Sequence, residues 1–192
     1  MMLPKDVDGL ISDEQGRIMQ QYASEMVNDV AVEIGSYRGK SACYLGSAMP
    51  ETAHLFCIDP WNNSNLNRYE FRFTDENLLM FKENVRLCGL ESRVTPIQGF
   101  SSEVSPSWEK PISLLYIDGG HEYDEVLKDI DGFLPHMVSG GVILFDDYSD
   151  AFPGIVSAVR ERFDEVVLHD VGIYLSRKKN RERRYLAAVR LP

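Results

Sequence analysis

Two short acidic segments contain residues whose types and spacing would allow them to bind a metal ion and to transfer a proton. Asp118, Asp146 and Asp147 follow strand-like runs, and three carboxylates at close range cannot all stay ionised without a compensating charge. A hard divalent cation, Mg²⁺ or Mn²⁺, suits such oxygen ligands. His121 titrates near neutrality and could take a proton from a substrate. The pattern predicts a metal site with a catalytic base. The alternatives are a solvated acidic loop, a helix cap at Asp118 and a structural histidine.

A glycine loop, "EIGSYRGKS" at residues 33–41, ends in Gly-Lys-Ser as the phosphate loop of many NTPases does. Its glycines are one residue too close for that loop, and Glu33 would place negative charge where phosphates bind. A ligand with positive charge and a carboxylate suits a strand-end acid followed by small residues, and S-adenosylmethionine (SAM) has both. The loop therefore predicts a SAM site rather than a plain turn, with the ligand residues Glu33, Gly35, Ser36, Gly39 and Ser41.

Further cofactor residues are predicted after the neighbouring strands. Asp59 ends the second predicted strand, where an acid can accept hydrogen bonds from a ribose diol. Trp61 could line the adenine pocket or serve only in packing. Asp118 could contact the cofactor as well as a metal. The third strand is followed by residues that border adenine or cap a helix: Gly99, Phe100 and Ser101.

The elements that must position these residues alternate between strands and helices. Such alternation predicts an α/β fold with a mostly parallel sheet covered on both faces, and ligands at the carboxyl ends of its strands. Ser12 and Gln15 form a capping box at the start of the first helix. The runs 165–170 and 172–178 predict two adjacent strands of an antiparallel hairpin. We expect one domain, 1–192, with a helical lead-in at 1–29 and a basic tail at 178–192.

Composition excludes several classes of function. The net charge of −10 and pI of about 4.9 argue against a nucleic-acid surface. No apolar run approaches the roughly 20 residues that span a bilayer, and no signal peptide is evident. Three scattered cysteines fit reduced thiols of a cytoplasmic protein. The one basic run, Arg177 to Arg184, predicts a solvated tail or subunit contact, so a homo-oligomer stays open.

The chain resembles class I SAM-dependent methyltransferases. The resemblance lies in "VEIGSYRGKSACYL", "FCIDPW", "LLYIDGGHEYDEVLKDIDGFLPHMVSGGVILFDDY" and "PGIVSAV". The similarity is greatest to macrolide-sugar O-methyltransferases and cephalosporin hydroxylase-like proteins. It implies a Rossmann-like three-layer sandwich with a seven-stranded sheet and an antiparallel C-terminal hairpin. It also implies Asp118, Asp146 and Asp147 as metal ligands, His121 as base and a substrate lid at 62–73.

These observations together predict a SAM-dependent, Mg²⁺-assisted O-methyltransferase. Its acceptor would be a hydroxyl of a small molecule, a sugar or a natural-product scaffold. One alternative is a metal-independent methyltransferase whose acidic cluster only organises a loop. The other is a non-enzymatic module that binds the cofactor without turnover.

Overall fold

A computed structural model describes residues 1–61, 75–175 and 181–192 of the chain. The predicted lid at 62–73 lies outside the described residues. Residues 177–180, the first half of the basic run, also lie outside them. Within the described residues no helix is both long and apolar enough to span a bilayer.

A single mixed sheet organises the described part of the chain, as the alternating pattern predicted. Its seven strands lie in the order β3-β2-β1-β4-β5-β7-β6. The first five are parallel to their neighbours, and β7 is antiparallel to both β5 and β6. The strands are β1 (Val30–Ile34), β2 (His54–Asp59), β3 (Val94–Gln98), β4 (Ile112–Ile117), β5 (Met137–Tyr148), β6 (Val167–Leu175) and β7 (Arg181–Arg190).

Helices cover both faces of this sheet, because alternate strand residues enter opposite hydrophobic clusters. Ala31 and Leu114 pack with helices of the first half of the chain, whereas Val32 and Leu115 pack with those of the second half. This confirms the three-layer sandwich. The helices are α1 (Asp13–Ser24), α2 (Lys40–Ala48), α3 (Asp75–Leu87), α4 (Ser101–Val104), α5 (Tyr123–Phe133) and α6 (Pro153–Arg162).

The first helix begins as predicted, but only half of its capping box forms. The Ser12 hydroxyl accepts a hydrogen bond from the Gln15 backbone N–H at 3.1 Å. The Gln15 side chain does not return to the cap. It is buried and donates to Asp146 at 2.6 Å instead, so the N-terminal helix is tied directly to the end of β5.

The C-terminal hairpin is present, but its strands differ from the predicted ones. Residues 165–170 and 172–178 were expected to be two strands, yet the single strand β6 (Val167–Leu175) includes residues of both, with an irregular register between Asp170 and Gly172. Residues 181–190, expected in a basic tail, form β7 between β5 and β6. The basic run concealed this strand because its consecutive charged residues lack the apolar alternation that identifies strands.

Strand β5 continues through both of its acidic residues. Consecutive strand residues normally point to opposite faces, so a regular strand would separate the carboxylates of Asp146 and Asp147. The strand instead contains a register irregularity between Phe145 and Tyr148. Asp147 adopts a left-handed backbone conformation there, with φ of 54°. This local kink turns both carboxylates toward the same neighbours.

Candidate active site

The glycine loop after β1 lies directly against the end of β4. Gly35 has a φ of 85°, and a Cβ atom at this position would lie 2.0 Å from the Asp118 carbonyl oxygen. The Gly35 N–H donates to the Ile58 carbonyl at 2.9 Å, and the Asp118 N–H donates to the Ile34 carbonyl at 2.8 Å. Only glycine permits this approach. The glycine loop and the Asp118–His121 loop are therefore neighbours at the carboxyl edge of the sheet.

Asp59 anchors the glycine loop. Its Oδ2 accepts from the backbone N–H groups of Ser36 and Tyr37, both at 2.9 Å, and its Oδ1 accepts from the Trp61 N–H at 2.7 Å. Burial raises the pKa of this carboxyl, while the three backbone N–H groups lower it. Asp59 Oδ1 accepts one hydrogen bond and has a second lone pair for another donor. Ribose binding at this oxygen stays a prediction.

The predicted adenine-side residues differ in exposure. Trp61 is fully buried, stacks edge-on against Phe81 and donates its indole N–H to the Tyr37 carbonyl at 2.7 Å. That arrangement matches the packing alternative of the sequence analysis. Phe100 keeps 37% of its surface exposed at the start of α4, and the Gly99 N–H donates to the Asp59 carbonyl at 3.1 Å. An exposed aromatic ring at this edge is suited to stack on a flat ligand.

Glu33 is a fully buried carboxylate with incomplete hydrogen bonding. Its Oε2 accepts from the Ser36 hydroxyl at 2.6 Å, whereas Oε1 has no partner with hydrogen-bond geometry. Burial raises the pKa of this carboxyl, although the nearby Ser36, Ser41 and Cys57 side chains lower it. A buried carboxylate with a spare oxygen fits a cationic ligand group such as the ammonium of SAM.

Gly39, Lys40 and Ser41 lie at the start of α2, and cofactor binding by Gly39 and Ser41 stays a prediction. Gly39 precedes α2 with a φ of 83°, and a Cβ atom there would meet the Phe81 ring at 2.9 Å. Ser41 is buried in the first turn of α2. Lys40 begins that helix and places its ammonium 3.5 Å from Asp13, so it serves as a helix residue rather than a phosphate ligand.

The two carboxylates of β5 share one cation, Arg184 of β7. Arg184 Nη2 lies 3.1 Å from Asp146 Oδ2, and Arg184 Nε contacts Asp147 Oδ1. Sequence reasoning missed this residue, since it was assigned to a solvated tail. The available signal was its neighbour Tyr185 and the apolar run that follows it, whose residues 186–189 are the buried part of β7.

Asp146 is also bound on its other sides. Its Oδ1 accepts from Gln15 Nε2 at 2.6 Å and from the Asp147 N–H at 2.7 Å. Its Oδ2 accepts from the Tyr116 hydroxyl at 3.2 Å. With Arg184, both oxygens of Asp146 have close donors, and the single Tyr116 proton is shared between Asp146 and Asp118 Oδ2, which lies 3.3 Å from the hydroxyl.

His121 faces Asp147 rather than Asp146. His121 Nε2 lies 3.3 Å from Asp147 Oδ2, and its ring packs edge-on against Phe152 with centroids 4.3 Å apart. Burial lowers the pKa of His121, which outweighs the opposing effect of nearby carboxylates. The imidazole is therefore neutral near pH 7, the form that accepts a proton.

The carboxyls beside His121 are biased toward protonation. Burial raises the pKa of Asp147 to about 7, with Asp146 adding to the rise and Arg184 opposing it. Burial also raises the pKa of Asp118 well above its usual range, followed by the repulsion of Asp146 and Asp147. Titratable groups with shifted pKa values that lie together at one edge of a sheet are typical of functional sites.

The metal set predicted from sequence does not fit this arrangement as a unit. Among the described residues, the group whose ligand atoms lie within 4.8 Å of one another is Asp118, His121 and Asp147. Asp146 is not in that group. A cation bound there would take the imidazole of His121, so the same ring could not also act as the base. Metal ligation and base catalysis by His121 therefore exclude each other.

Asp129 is a second residue that the sequence analysis did not select. It lies on the buried face of α5 with Val126, Ile130 and Phe133, and it bonds the Ser101 hydroxyl. Burial raises the pKa of Asp129 to about 6. An acid at a core position of an amphipathic helix was the available signal. Asp129 ties α4, where adenine is predicted, to the helix that follows His121.

A cavity of about 210 Å³ adjoins the acidic cluster. It lies between the residues before α1 and the C-terminal hairpin. Its lining combines apolar Leu10, Ile11 and Val171 with polar Ser12, Gln15 and Arg184. Because Gln15 and Arg184 both bond Asp146, the cavity and the cluster share a wall.

Comparison with known proteins identifies the family to which this chain belongs. A family described as a methyltransferase domain matches residues 32–148, which is more than half of the chain. The chain belongs to this methyltransferase family. The match includes both loops that meet at Gly35 and Asp118 and ends at the last residue of β5. Gln15 and Arg184, which complete the acidic cluster, lie outside it.

A curated relative and several solved structures resemble this methyltransferase domain. The uncharacterized protein R132 of Acanthamoeba polyphaga mimivirus is 27% identical over 125 residues, which cover 62% of this chain and 51% of R132. This chain thus matches about half of the length of that relative.

Solved structures at lower identity share the fold. The O-methyltransferase TomG of Streptomyces achromogenes, in complex with SAM, has a TM-score of 0.70 and 16% identity, covering 95% of this chain and 82% of TomG. The Bacillus cereus O-methyltransferase in complex with SAH has a TM-score of 0.70 and 15% identity, covering 97% and 84%. A precorrin 8W decarboxylase from Methanobacterium thermoautotrophicum has a TM-score of 0.66 and 18% identity, covering 100% and 96%. This range of names means that the shared fold does not specify the acceptor.

Proposed function

We propose that this protein transfers the methyl group of SAM to a hydroxyl of a small molecule, a sugar or a natural-product scaffold. One observation carries the proposal: a neutral, partly buried His121 paired with Asp147 lies at the sheet edge where the glycine loop approaches Asp118. The proposal is supported by family membership and by the SAM- and SAH-bound O-methyltransferases of the same fold. We also expect a cytoplasmic enzyme, because its three cysteines are buried and free.

The residues of the glycine loop would hold the donor. Glu33 would receive the ammonium group at its spare oxygen, and Gly35 and Ser36 would line the methionine part. Asp59 would accept from the ribose, and Phe100 would stack on adenine. SAM would supply a methyl group bonded to a positively charged sulfonium. The negative charge of the nearby acidic residues would favour the binding of this cation.

Methyl transfer would then need only one proton acceptor. SAM held there would supply the methyl group: the acceptor oxygen would bond to the methyl carbon as the carbon–sulfur bond breaks, and the electron pair of that bond would remain on sulfur. The hydroxyl proton moves to the imidazole of His121. Asp147 Oδ2, 3.3 Å from Nε2, stabilises the imidazolium that forms. Orientation of the two reactants contributes the rest of the rate enhancement.

The acceptor hydroxyl would lie at His121, and the cavity beside Gln15 and Arg184, which His121 does not line, would hold another part of the acceptor. The cavity volume of about 210 Å³ is below the roughly 300–1,000 Å³ of sites for drug-sized ligands. It suits a single ring, such as one sugar, with the rest of a larger scaffold outside. The net charge of −10 argues against a nucleic-acid acceptor.

Metal assistance stays a prediction from the sequence, and no step above uses it. Asp146 is held by Gln15, Arg184 and the Asp147 backbone N–H, and His121 cannot be both ligand and base. The geometry therefore favours the metal-independent alternative over the Mg²⁺-assisted reaction.

Calorimetric titration with SAM, followed by SAH formation over a panel of hydroxylated acceptors, tests the proposal. His121→Gln should lower turnover by about 10²–10⁴-fold at unchanged SAM affinity, because only the proton acceptor is removed. His136→Gln is the matched control, since His136 lies before β5 at the opposite edge of the sheet. Turnover should survive EDTA.

Three outcomes would contradict parts of this proposal. Failure to bind SAM at millimolar concentration would remove the enzyme assignment. SAM binding without turnover on any acceptor would favour a non-enzymatic module. Loss of turnover in EDTA, restored by Mg²⁺, would bring back the metal-assisted reaction.

A further inference from the structure

The guanidinium of Arg184 lies inside the acidic cluster rather than on its surface. Its side chain is 19% exposed, and it contacts both carboxylates of the β5 kink, Asp146 at 3.1 Å and Asp147. These two acids are themselves 2% and 8% exposed. Buried carboxylates side by side require a cation nearby, or they must take up protons.

The backbone is arranged to bring both acids to this one cation. In a regular strand, Asp146 and Asp147 would point to opposite faces. The left-handed conformation of Asp147 and the register irregularity with β7 put them on the same side, where Arg184 projects from the neighbouring strand. A bridging guanidinium suits two adjacent carboxylates because its donors are held in a rigid plane.

Little of the cluster is left for another cation. Asp146 accepts bonds from Gln15, Tyr116, Arg184 and the backbone of Asp147. Asp147 contacts Arg184 through Oδ1 and His121 through Oδ2. A divalent ion between these two acids would have to displace the guanidinium and meet its positive charge at short range.

We propose that Arg184 is the resident cation of this cluster and takes the place that a divalent metal ion would occupy between Asp146 and Asp147. The wild-type chain therefore binds divalent cations weakly, and loss of the guanidinium exposes an acidic site able to bind them. This goes beyond the proposed function and does not depend on methyl transfer.

The neighbouring residue provides an internal comparison. Arg183 precedes Arg184 in β7 and points to the other face, where it pairs with Asp170 at 2.7 Å and is 68% exposed. Exposed pairs of this kind contribute little to stability. Removing Arg183 changes the net charge as much as removing Arg184 but leaves the cluster intact.

Binding of Mn²⁺ alone, followed by electron paramagnetic resonance and calorimetry without SAM, tests the proposal. Arg184→Met should bind one Mn²⁺ at least about tenfold more tightly than wild type, a change of about 1.4 kcal/mol. Arg183→Met should behave as wild type. Arg184→Gln, which keeps an amide donor for the carboxylates, should show the same gain as Arg184→Met.

Each other outcome overturns the proposal. Equal Mn²⁺ affinity in wild type, Arg184→Met and Arg184→Gln would show that the guanidinium does not compete with the ion. A single tight Mn²⁺ site in wild type would show that the cluster already accepts a metal. If both Arg184 variants unfold, the proposal requires Mn²⁺ to restore their folding, and failure of that rescue refutes it.

Discussion

The approach of the glycine loop to Asp118 makes Gly35→Ala the most informative single substitution. Gly35 has a φ of 85°, a conformation that costs an L-residue about 1–2 kcal/mol. Its added Cβ would also lie 2.0 Å from the Asp118 carbonyl oxygen, although real Cβ contacts are essentially never shorter than 3.0 Å. The loop after β1 and the end of β4 must then separate by about 1 Å, at a further cost of about 1–3 kcal/mol.

The free energy of unfolding should fall by this total of about 2–5 kcal/mol, and SAM binding should weaken as well. For a chain of this size each kcal/mol lowers Tm by about 2–4 °C, so Gly35→Ala should melt roughly 4–20 °C below wild type. SAM affinity should fall at least tenfold, because the displaced loop carries the predicted methionine contacts.

Gly140→Ala separates the clash from the backbone strain. Gly140 has a φ of 74°, but an added Cβ would lie 3.8 Å from its nearest neighbour, a methyl carbon of Val27. It should therefore lose only the strain of about 1–2 kcal/mol and keep its SAM affinity. Thermal unfolding and calorimetric SAM titration of both variants provide the test. Gly35→Ala with the stability of Gly140→Ala and wild-type SAM affinity would refute the reasoning.

Three further changes test other parts of the site. Asp59→Asn should lose about 1–3 kcal/mol in denaturant unfolding, because an amide nitrogen replaces one acceptor oxygen facing backbone N–H groups; unchanged stability would contradict its anchoring role. Phe100→Ala should weaken SAM binding about tenfold with little change in Tm, because the ring is exposed; equal calorimetric affinity would rule out stacking. Burial raises the pKa of Asp129 to about 6 from 3.8, so the folded chain binds more protons than the unfolded chain between these values. Stability from this group is therefore full below pH 4 and falls by about 3 kcal/mol as pH rises through 6. Asp129→Asn should remove that fall, and parallel curves for variant and wild type in denaturant unfolding at several pH values would contradict it.

Much of the fold could be predicted from the sequence because its signals are local. Apolar runs that end at glycine or proline located β1 to β5 within a few residues, and Ser12 marked the start of α1. Gly89, with a φ of 73°, follows the end of α3, where glycine is the usual signal because few other residues adopt that conformation. Each of these features depends on neighbours in the chain, so reading along the chain was sufficient.

The C-terminal hairpin shows where local reading failed. The boundary between residues 170 and 172 was taken for the turn of a hairpin, although it is a register irregularity inside one strand. The partner strand β7 was taken for a tail because its first half is strongly basic. Its pairing with β5, more than 30 residues earlier in the chain, determines its structure. Strand pairing across such separations leaves a weak trace in a single sequence.

The sequence by itself determined the chemistry that is available at this sheet edge. Carboxylates, a histidine and small residues follow successive parallel strands, and the carboxyl ends of such strands must meet. Tertiary structure decided how those groups are partnered. Gln15 and Arg184 come from opposite ends of the chain to bond Asp146, and the kink at Asp147 directs it to both Arg184 and His121. Which cation balances a buried carboxylate depends on distances of a few ångströms between remote segments, and residue spacing along the chain does not contain that information.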